Sequence, residues 1–382
     1  PLVTKVVSGE KADDGLYVPI IKEVTATLES RELLYVGDCK MSSLETRSHI
    51  VESGNYYLCP LARVGKVPES LSEWIKQAQK GELEEVEITR KDSEGTIKKI
   101  GIGYEIERHQ EQKKEDKIQN WIERVLLIWS DSYFQTQEKG LSTRLQKATS
   151  KLRELTPSVG RGKRQIREEK ELCEKAEKIL KTHRVEGLLK YEYDYQVPTR
   201  YRKGRYQIVK VTPNSKKIEQ VVAELGWRAY VTNAPITRLS LEEGVLIYRD
   251  EWIAERSFHR LKGVPLSLSP LFVQREDQVQ GLVHLLSLAL RLLTLIEFVV
   301  RRHLKEEGEV LTGLYEGNPK KSTQRPTSEK LLGAFKNLTL TWFESEGQWF
   351  GNVSELNGLQ RKILGCLGLS PEIYRVLVEN ST

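Results

Sequence analysis

The pattern of hydrophobic and polar positions over the first 64 residues is typical of an α/β protein. Short runs of consecutive apolar residues alternate with segments in which apolar residues recur at helical spacing. The five elements that this pattern predicts are a strand at Leu2–Val7, a helix at Gly15–Ser30, a strand at Leu33–Val36, a helix at Ser43–Glu52 and a strand at Tyr56–Leu61. Such alternation favours a parallel or mixed sheet with helices packed against it.

The pattern becomes more charged between residues 65 and 226. Alternating runs around a charged turn predict a hairpin, and helical periodicity followed by further alternation predicts two helices and two strands. In chain order, these elements are Val86–Thr89, Ile97–Ile106, Gln110–Leu155, Gln165–Thr182, Leu188–Tyr195 and Arg205–Val211. We interpret the region as a long insertion with its own mixed structure. Its basic connector, Arg161–Arg167, fits a solvated loop better than a track for a DNA backbone.

After residue 226 a strand leads into mainly helical sequence. The predicted elements are a strand at Trp227–Thr232 and helices at Leu239–Lys262, Val279–Leu304, Ser328–Lys336, Leu356–Leu367 and Pro371–Val378. Trp227 fits a core position better than a base-stacking one. The apolar stretch Val279–Val300 is interrupted by a glutamine, a histidine, an arginine and a glutamate, which a lipid bilayer does not accept easily. We therefore interpret it as a buried core helix and expect no membrane partner.

Length and composition narrow the classes of protein to which the chain can belong. A chain of 382 residues predicts two or three structural units, and 38% hydrophobic with 30% charged residues excludes broad disorder. The formal net charge of +6 permits a polyanionic partner without requiring one. The four cysteines are far apart and the six histidines lack zinc-binding spacings, so we expect reduced thiols in the cytoplasm and no dedicated zinc site.

The segment after the predicted strand Leu33–Val36 is the first that suggests chemistry. The strand runs directly into Gly37 and Asp38, and a polar turn and a helix follow. Ligands of open α/β sheets bind at the carboxyl ends of strands, where a carboxylate can hold a divalent metal. An aspartate in this place is also suited to begin a turn or to cap the next helix, so both roles stay open.

A second segment places three functional groups at intervals of seven residues. Tyr248, Glu255 and Lys262 lie in the predicted helix Leu239–Lys262. Seven residues nearly complete two turns, so the three fall within an arc of roughly 40° and about 10 Å apart along the axis. A glutamate between a phenol and an ammonium suits metal-dependent phosphodiester chemistry. The alternative is a solvated face of an amphipathic helix.

Together the two segments resemble the DDE insertion-sequence transposases whose signature is Tyr-x2-Arg-x3-Glu-x6-Lys. Tyr248, Glu255 and Lys262 match its spacings, and the segment around Asp38 is similar to the family's second aspartate motif. The arginine position is a departure, because Glu251 occupies it.

The resemblance implies the fold class: an α/β protein with a ribonuclease-H-like core, a long mixed α+β insertion domain and a helical C-terminal region. The implied domains are residues 1–64 for the N-terminal part of the core, 65–226 for the insertion, 227–306 for completion of the core and 307–382 for the helical region. The family's first aspartate lies on a strand that would precede residue 1, and Asp13 and Asp14 fit helix capping better than that role. We therefore expect a transposase without its N-terminal portion, inactive in cleavage on its own.

The resemblance also implies hydrolysis and strand transfer at DNA phosphodiester bonds with Mg²⁺ or Mn²⁺. The implied catalytic and metal-binding residues are Asp38 and Glu255. The implied nucleic-acid-binding residues are Tyr248, Arg249, Arg256 and Lys262. The expected partners are double-stranded DNA, as transposon ends and target, and a second copy of the chain, in the cytoplasm at the nucleoid. The alternatives are a non-catalytic DNA-binding remnant and a ribonuclease-H-like nuclease.

Overall fold

The chain divides into two compact units. The computed structural model describes residues 2–7, 10, 13–62, 64–91, 95–114, 117–160, 162–200, 203–345, 348–374 and 376. Residues 12–250 form one unit, which we call the sheet unit, and residues 1–11 with 251–382 form the other, the helical unit. The division at residue 250 falls inside the segment predicted as one helix, Leu239–Lys262.

The sheet unit contains seven α-helices and eight strands among its described residues. In chain order these are α1 (Tyr17–Leu28), β1 (Leu34–Val36), α2 (Leu44–Glu52), β2 (Tyr56–Pro60), α3 (Val67–Gln79), β3 (Val86–Lys91), β4 (Ile97–Lys114), β5 (Lys117–Trp129), α4 (Asp131–Leu155), α5 (Glu169–Thr182), β6 (Leu189–Gln196), β7 (Arg205–Pro213), α6 (Ser215–Ala223), β8 (Trp227–Thr232) and α7 (Leu241–Arg249). Short 3-10 helices span Asp13–Leu16 and Cys39–Ser42.

Six of these strands form one mixed sheet in the order β1-β2-β8-β5-β4-β3. Only the β1–β2 pair is parallel, and its register places Val36 opposite Leu58. Successive residues of a strand face opposite sides of a sheet. Accordingly, Val125 and Leu127 join the core against α1, α2 and α3, whereas Leu126 joins the core against α7. Both faces of the sheet are therefore covered, as the consecutive apolar residues of β5 require.

A second core of the sheet unit lies outside this sheet. The hairpin of β6 and β7 packs with α4 and α5 around Leu152, Leu172 and Ala176, all fully buried. The strands β3, β4 and β5 belong instead to the six-stranded sheet, although they fall in the region predicted as an insertion. Only the later part of that region thus has a core of its own.

Glu123 of β5 is fully buried in the sheet unit and is surrounded by donors. Its carboxylate forms salt bridges with Arg47 of α2 and with Arg108 of β4, whose Nη2 lies 2.5 Å away. The Tyr57 hydroxyl donates to it at 2.5 Å, and the Gln110 amide at 3.2 Å. Burial, followed by Glu123, raises the pKa of Tyr57. For Arg47, burial acts to lower the pKa, but Glu123, Tyr57 and Cys59 together raise it by more. The network is fully hydrogen-bonded, which a buried carboxylate needs.

The helical unit consists of four α-helices and four short strands in its described residues. They are α8 (Trp252–Lys262), α9 (Glu276–Glu306), β9 (Leu311–Thr312), β10 (Ser322–Thr323), α10 (Ser328–Gly333), β11 (Leu340–Ser345), β12 (Gln348–Val353) and α11 (Gly358–Cys366). Its core is formed by the C-terminal half of α9 with α10 and α11, around Val300, Leu304, Leu331 and Ile363. Three helices that are separated in the sequence thus contribute side chains to one small core.

The prediction that α9 is a buried core helix is correct for one face only. Val300 and Leu304 are fully buried, whereas Leu285, Leu288 and Leu292 are more than half exposed. Leu295, three residues further on, is 56% exposed. By length and composition alone α9 is also able to cross a membrane, a property that core helices share. The helix is therefore amphipathic in this unit rather than buried all round.

Two predicted elements are wrong. Residues 2–7 form no strand, and the Leu2 carbonyl instead accepts a hydrogen bond from Arg291 of α9 at 2.7 Å. The segment 110–129, predicted as the start of a helix, is the end of β4 and all of β5. Cross-strand pairing of oppositely charged residues, such as Arg108 with Glu123, accommodates the charges that suggested a helix.

The predicted helix Leu239–Lys262 is interrupted. The chain forms α7 and α8, with Asp250 and Glu251 in a turn between them. The remaining predicted elements up to α11 are present with small shifts of their bounds, and the mixed α/β class is confirmed. The segment predicted as a helix at Pro371–Val378 begins with a 3-10 turn at Pro371–Tyr374 and continues largely outside the described residues. The ribonuclease-H-like core stays a prediction.

Removal of the buried carboxylate should destabilise the sheet. We expect Glu123→Ala to lower the opening free energy of β2 and β5 amides by about 3–5 kcal/mol, because Arg47 would be left buried without its counter-ion. Native-state hydrogen exchange measures this. Glu111→Ala, at an exposed position of β4, is the control and should change the same amides by less than about 0.5 kcal/mol. Equal effects of the two substitutions would contradict a special role of Glu123.

Candidate functional site

Asp38 lies two residues beyond β1, at the carboxyl end of that strand. Its Oδ1 accepts hydrogen bonds from the Lys40 amide at 2.9 Å and from the Tyr17 hydroxyl at 2.7 Å, and the side chain is exposed. The first bond makes Asp38 the N-cap of the 3-10 helix Cys39–Ser42. The capping role is therefore present, and it orients the carboxylate without a salt bridge in the described structure. A metal-binding role stays a prediction.

The loop that carries Asp38 is fixed to the body of the sheet unit. The Gly37 amide donates to the Leu58 carbonyl at 3.2 Å, and the buried side chain of Met41 packs so closely that a Cβ on Gly37 would lie 2.7 Å from its sulfur. Arg47, which binds Glu123, also donates from Nε to the Ser42 carbonyl at 2.9 Å. The buried ion network thus extends to the loop that holds Asp38.

Tyr248 and Arg249 form the last turn of α7. This helix starts with a capping box between Ser240 and Glu243 and buries Val245 against the sheet. The half-buried ring of Tyr248 lies 4.7 Å from that of Tyr230 on β8, measured between centroids. Packing of the ring against the sheet fixes the end of α7.

Arg249 stands in a group of cations. Burial lowers its pKa, and the neighbouring Arg90 and Arg228 lower it further, against an opposite effect of Tyr230. Arg90 is paired with Asp250 at 3.7 Å, and the Arg228 guanidinium lies 3.7 Å from the ring centre of Tyr133. Positive charges in such proximity favour an anionic ligand.

Glu255 and Lys262 both lie on α8, in its first and last turns. They are exposed, and neither has a salt bridge within the described part of the chain. A carboxylate in the first turn and an ammonium in the last complement the helix dipole. Seven residues of α-helix place them about 10 Å apart along the axis and nearly on one face. The predicted alignment on one helix face therefore holds for Glu255 and Lys262, but Tyr248 lies on α7 and is not aligned with them.

Arg256 and the unpredicted Arg260 bind a buried carboxylate. Arg256 makes two bonds to Glu297 of α9, Nη1–Oε1 at 2.9 Å and Nη2–Oε2 at 3.1 Å. Arg260 also bonds Glu297, and its Nε lies 2.7 Å from Oε1 of Glu329. The sequence did carry a signal, because a glutamate in an apolar helix needs a partner. In the sequence, Glu297 is the glutamate that interrupts the apolar stretch Val279–Val300.

The candidate residues thus fall in two groups, Asp38, Tyr248 and Arg249 in the sheet unit and Glu255, Arg256 and Lys262 in the helical unit. Trp227 is 5% exposed, which confirms its core position. The side chains of Asp13 and Asp14 and residue Arg161 of the basic connector lie outside the described part of the structure.

Two exposed carboxylates offer the oxygen ligands that Mg²⁺ and Mn²⁺ prefer. Asp38 and Glu255 fit such ions by donor chemistry, since neither is neutralised by a salt bridge within the described residues. No group of three histidine, cysteine, aspartate or glutamate side chains suited to a metal occurs among the residues that the structure describes. A complete metal site is therefore not defined by the geometry of either unit.

Comparison with known proteins identifies the region that carries these residues. Residues 1–292 match the family model described as Transposase DDE domain, which is 292 of the 382 residues. The matched region includes all six candidate residues, whereas residues 293–382 lie outside it. No curated protein matches the chain.

The capping role of Asp38 can be separated from any other role by two substitutions. We expect Asp38→Ala to lower the free energy of unfolding by about 1 kcal/mol, because the Lys40 amide loses its acceptor. Asp38→Asn keeps a side-chain oxygen and should cost only a few tenths of a kcal/mol. Urea unfolding measures both values. If the two variants were equally destabilised, the charge rather than the cap would stabilise this loop.

Proposed function

The chain belongs to the DDE transposase family, and from that premise we propose that it binds the ends of an insertion sequence and that its chemistry is metal-dependent phosphodiester hydrolysis and strand transfer, for which a further carboxylate has to complete the metal site. Family membership gives a transposase function, DNA substrates and the general use of divalent metal ions. The observation that supports the finer proposal is that one matched region contains both Asp38 and Glu255.

Asp38 and Glu255 are the residues that we propose to bind Mg²⁺ or Mn²⁺. Both side chains are exposed carboxylates, and the hydrogen bonds to Oδ1 of Asp38 hold that group in one orientation. Bound metal ions supply activation of the attacking water or 3′-hydroxyl and stabilisation of the leaving oxygen. Chemistry with two ions needs a further bridging carboxylate, a role to which we assign no described residue.

Tyr248, Arg249, Arg256 and Lys262 are proposed to contact phosphate groups of the DNA. The ammonium of Lys262 is exposed and forms no salt bridge with the residues described, so its side chain can be oriented toward a phosphate. The role of Arg249 is supported by its cationic neighbours, because a bound anion would relieve the repulsion between these charges. Arg256 is the more constrained of the two arginines, since Glu297 already holds it through two bonds. Arg249 is therefore the better substitute for the arginine that Glu251 displaces from the signature.

The proposal extends to a ribonuclease-H-like core, to a location at the nucleoid in the cytoplasm and to two copies of the chain in the DNA complex. The exposed leucines of α9 support pairing of copies, because Leu285, Leu288, Leu292 and Leu295 follow the 3-4-3 spacing of a helix–helix seam. Sedimentation of the chain on one duplex measures the stoichiometry; a mass of one chain per duplex would contradict pairing.

The metal-binding role of Glu255 is tested against its neighbour. We expect Glu255→Gln to weaken Mn²⁺ binding by at least about tenfold and to abolish any Mn²⁺-dependent DNA cleavage, because a ligand oxygen loses its charge. Glu251→Gln removes the same charge from the adjoining turn and should leave both unchanged. Titration with Mn²⁺ followed by electron paramagnetic resonance reports metal binding, and a labelled duplex reports DNA affinity in metal-free buffer.

The outcomes of that experiment separate the alternatives. Equal losses from the two variants would contradict the assignment of Glu255. Binding of DNA by the unsubstituted chain without cleavage would favour a non-catalytic DNA-binding protein. Hydrolysis without joining of ends to target DNA would favour a nuclease.

Phosphate contact by Lys262 predicts a particular dependence on salt. Lys262→Ala should weaken binding to unrelated duplexes equally and reduce the slope of log affinity against log salt by about one unit, because one fewer phosphate is neutralised. Lys336→Ala, also exposed and in the helical unit, is the control and should leave the slope unchanged. An effect restricted to one base position would indicate base recognition instead.

A further inference from the structure

The helical unit contains a cavity of about 760 Å³ with an unusual lining. Its walls are formed by α8, α9 and the residues just after β10. The cationic side chains that line it are Arg256, Arg260, Arg301, Arg302, Lys305 and Arg325. Glu297 is the only carboxylate among the described residues of its lining, so positive charge is in large excess.

Three of the six cations are held by Glu297. Arg256 and Arg260 reach it from α8, and Nη2 of Arg301 lies 2.7 Å from its Oε1. Nε of Arg301 also donates to the Pro326 carbonyl at 2.9 Å. These three guanidinium groups are therefore held in the wall by one shared carboxylate, which leaves a net positive charge there.

The other three cations lie outside the ion pairs of Glu297. Arg302, Lys305 and Arg325 are exposed, and none has a salt bridge to a carboxylate in the described part of the chain. Arg302 lies 5.5 Å from the ring centre of Phe298, a contact that leaves its donors available. Three exposed cations thus line the cavity beside a wall that already carries positive charge.

The pKa of Arg301 also reflects the excess of positive charge in the wall. Burial lowers the pKa of Arg301, and Arg256, Arg260 and Arg325 lower it further although Glu297 opposes them. Like charges that reduce the pKa of an arginine are in effective repulsion. An anion in the cavity would relieve that repulsion.

We propose that this cavity is a phosphate-binding pocket for the DNA backbone, in which Arg302, Lys305 and Arg325 contact the phosphate and the arginines around Glu297 supply a fixed positive field. Arginine binds phosphate oxygens through paired N–H donors, and lysine adds a point charge. The inference rests on the proposed function for the identity of the polyanion. Four of the six cations follow residue 292, so the pocket depends on a part of the chain outside the family match.

The test compares two double variants of the full chain. Arg302→Gln with Arg325→Gln removes two cations of the pocket, and Arg361→Gln with Lys336→Gln removes two exposed cations of the same unit that do not line it. Affinity for a fluorescein-labelled duplex is measured by anisotropy from low to physiological salt. We expect the first variant to reduce the salt slope by about two units and the second to leave it unchanged. Circular dichroism and thermal midpoints confirm that both variants are folded.

A second arm uses inorganic phosphate alone, with the shift of the thermal midpoint as the readout. If the unsubstituted chain binds DNA and both double variants retain its salt slope, the pocket is overturned while the proposed function stands. If the unsubstituted chain binds no DNA, the proposed function fails and so does the assignment of the pocket to DNA. A phosphate-induced shift that disappears only in the pocket variant would then indicate a site for a free anion.

Discussion

Glu297 is the residue on which the arrangement of the helical unit depends. It is 6% exposed on the amphipathic helix α9, where a buried carboxylate without a partner would cost several kcal/mol. Arginines from α8 and α9 and the Ser328 amide of α10 satisfy it. One carboxylate therefore joins three helices. The bonds matter most for α8, since its Trp252, Ile253 and Phe258 are about half exposed and contribute little to a core. The position of Glu255 and Lys262 thus follows from ion pairs more than from apolar packing.

In the sheet unit, Glu123 is likewise a buried carboxylate that holds neighbouring elements together through arginines. Its partner Arg47 also binds the Ser42 carbonyl, at the end of the 3-10 helix that Asp38 caps. Each candidate carboxylate accordingly lies on an element that is fixed to a buried glutamate by arginine. Such ion pairs contribute less to net stability than apolar packing of equal volume, but they fix geometry and are costly to break. Rigid placement of this kind is what a binding site requires.

Local patterns predicted the elements whose burial depends on their own periodicity and missed those that depend on distant partners. The strand–helix alternation from α1 to β2 was predicted because each apolar run covers a face of the sheet. The charged residues of β4 and β5 indicated a helix, since nothing in the local sequence shows that Arg108 pairs across the hairpin with Glu123. Leu2–Val7 has strand composition but pairs with no strand in the part of the chain that the structure describes. Among the candidate residues, the spacing placed Glu255 and Lys262 nearly on one helix face, as α8 has them, whereas the ion pairs of Arg256 become evident only when α8 packs on α9.

The distribution of charge shows why the net charge of the chain understates the local excess of cations. A net charge of +6 over the whole chain is a modest excess. Six cations nevertheless line one cavity of the helical unit, against Glu297 in its wall and Glu329 beside Arg260. A cleft with one sign of charge focuses the electrostatic field and raises the local concentration of counter-ions. Acidic residues elsewhere on the chain cancel the sum but not this local field, because screening by salt limits interactions between exposed charges to about 10 Å. A polyanion therefore experiences the charge of the cavity rather than the average of the protein.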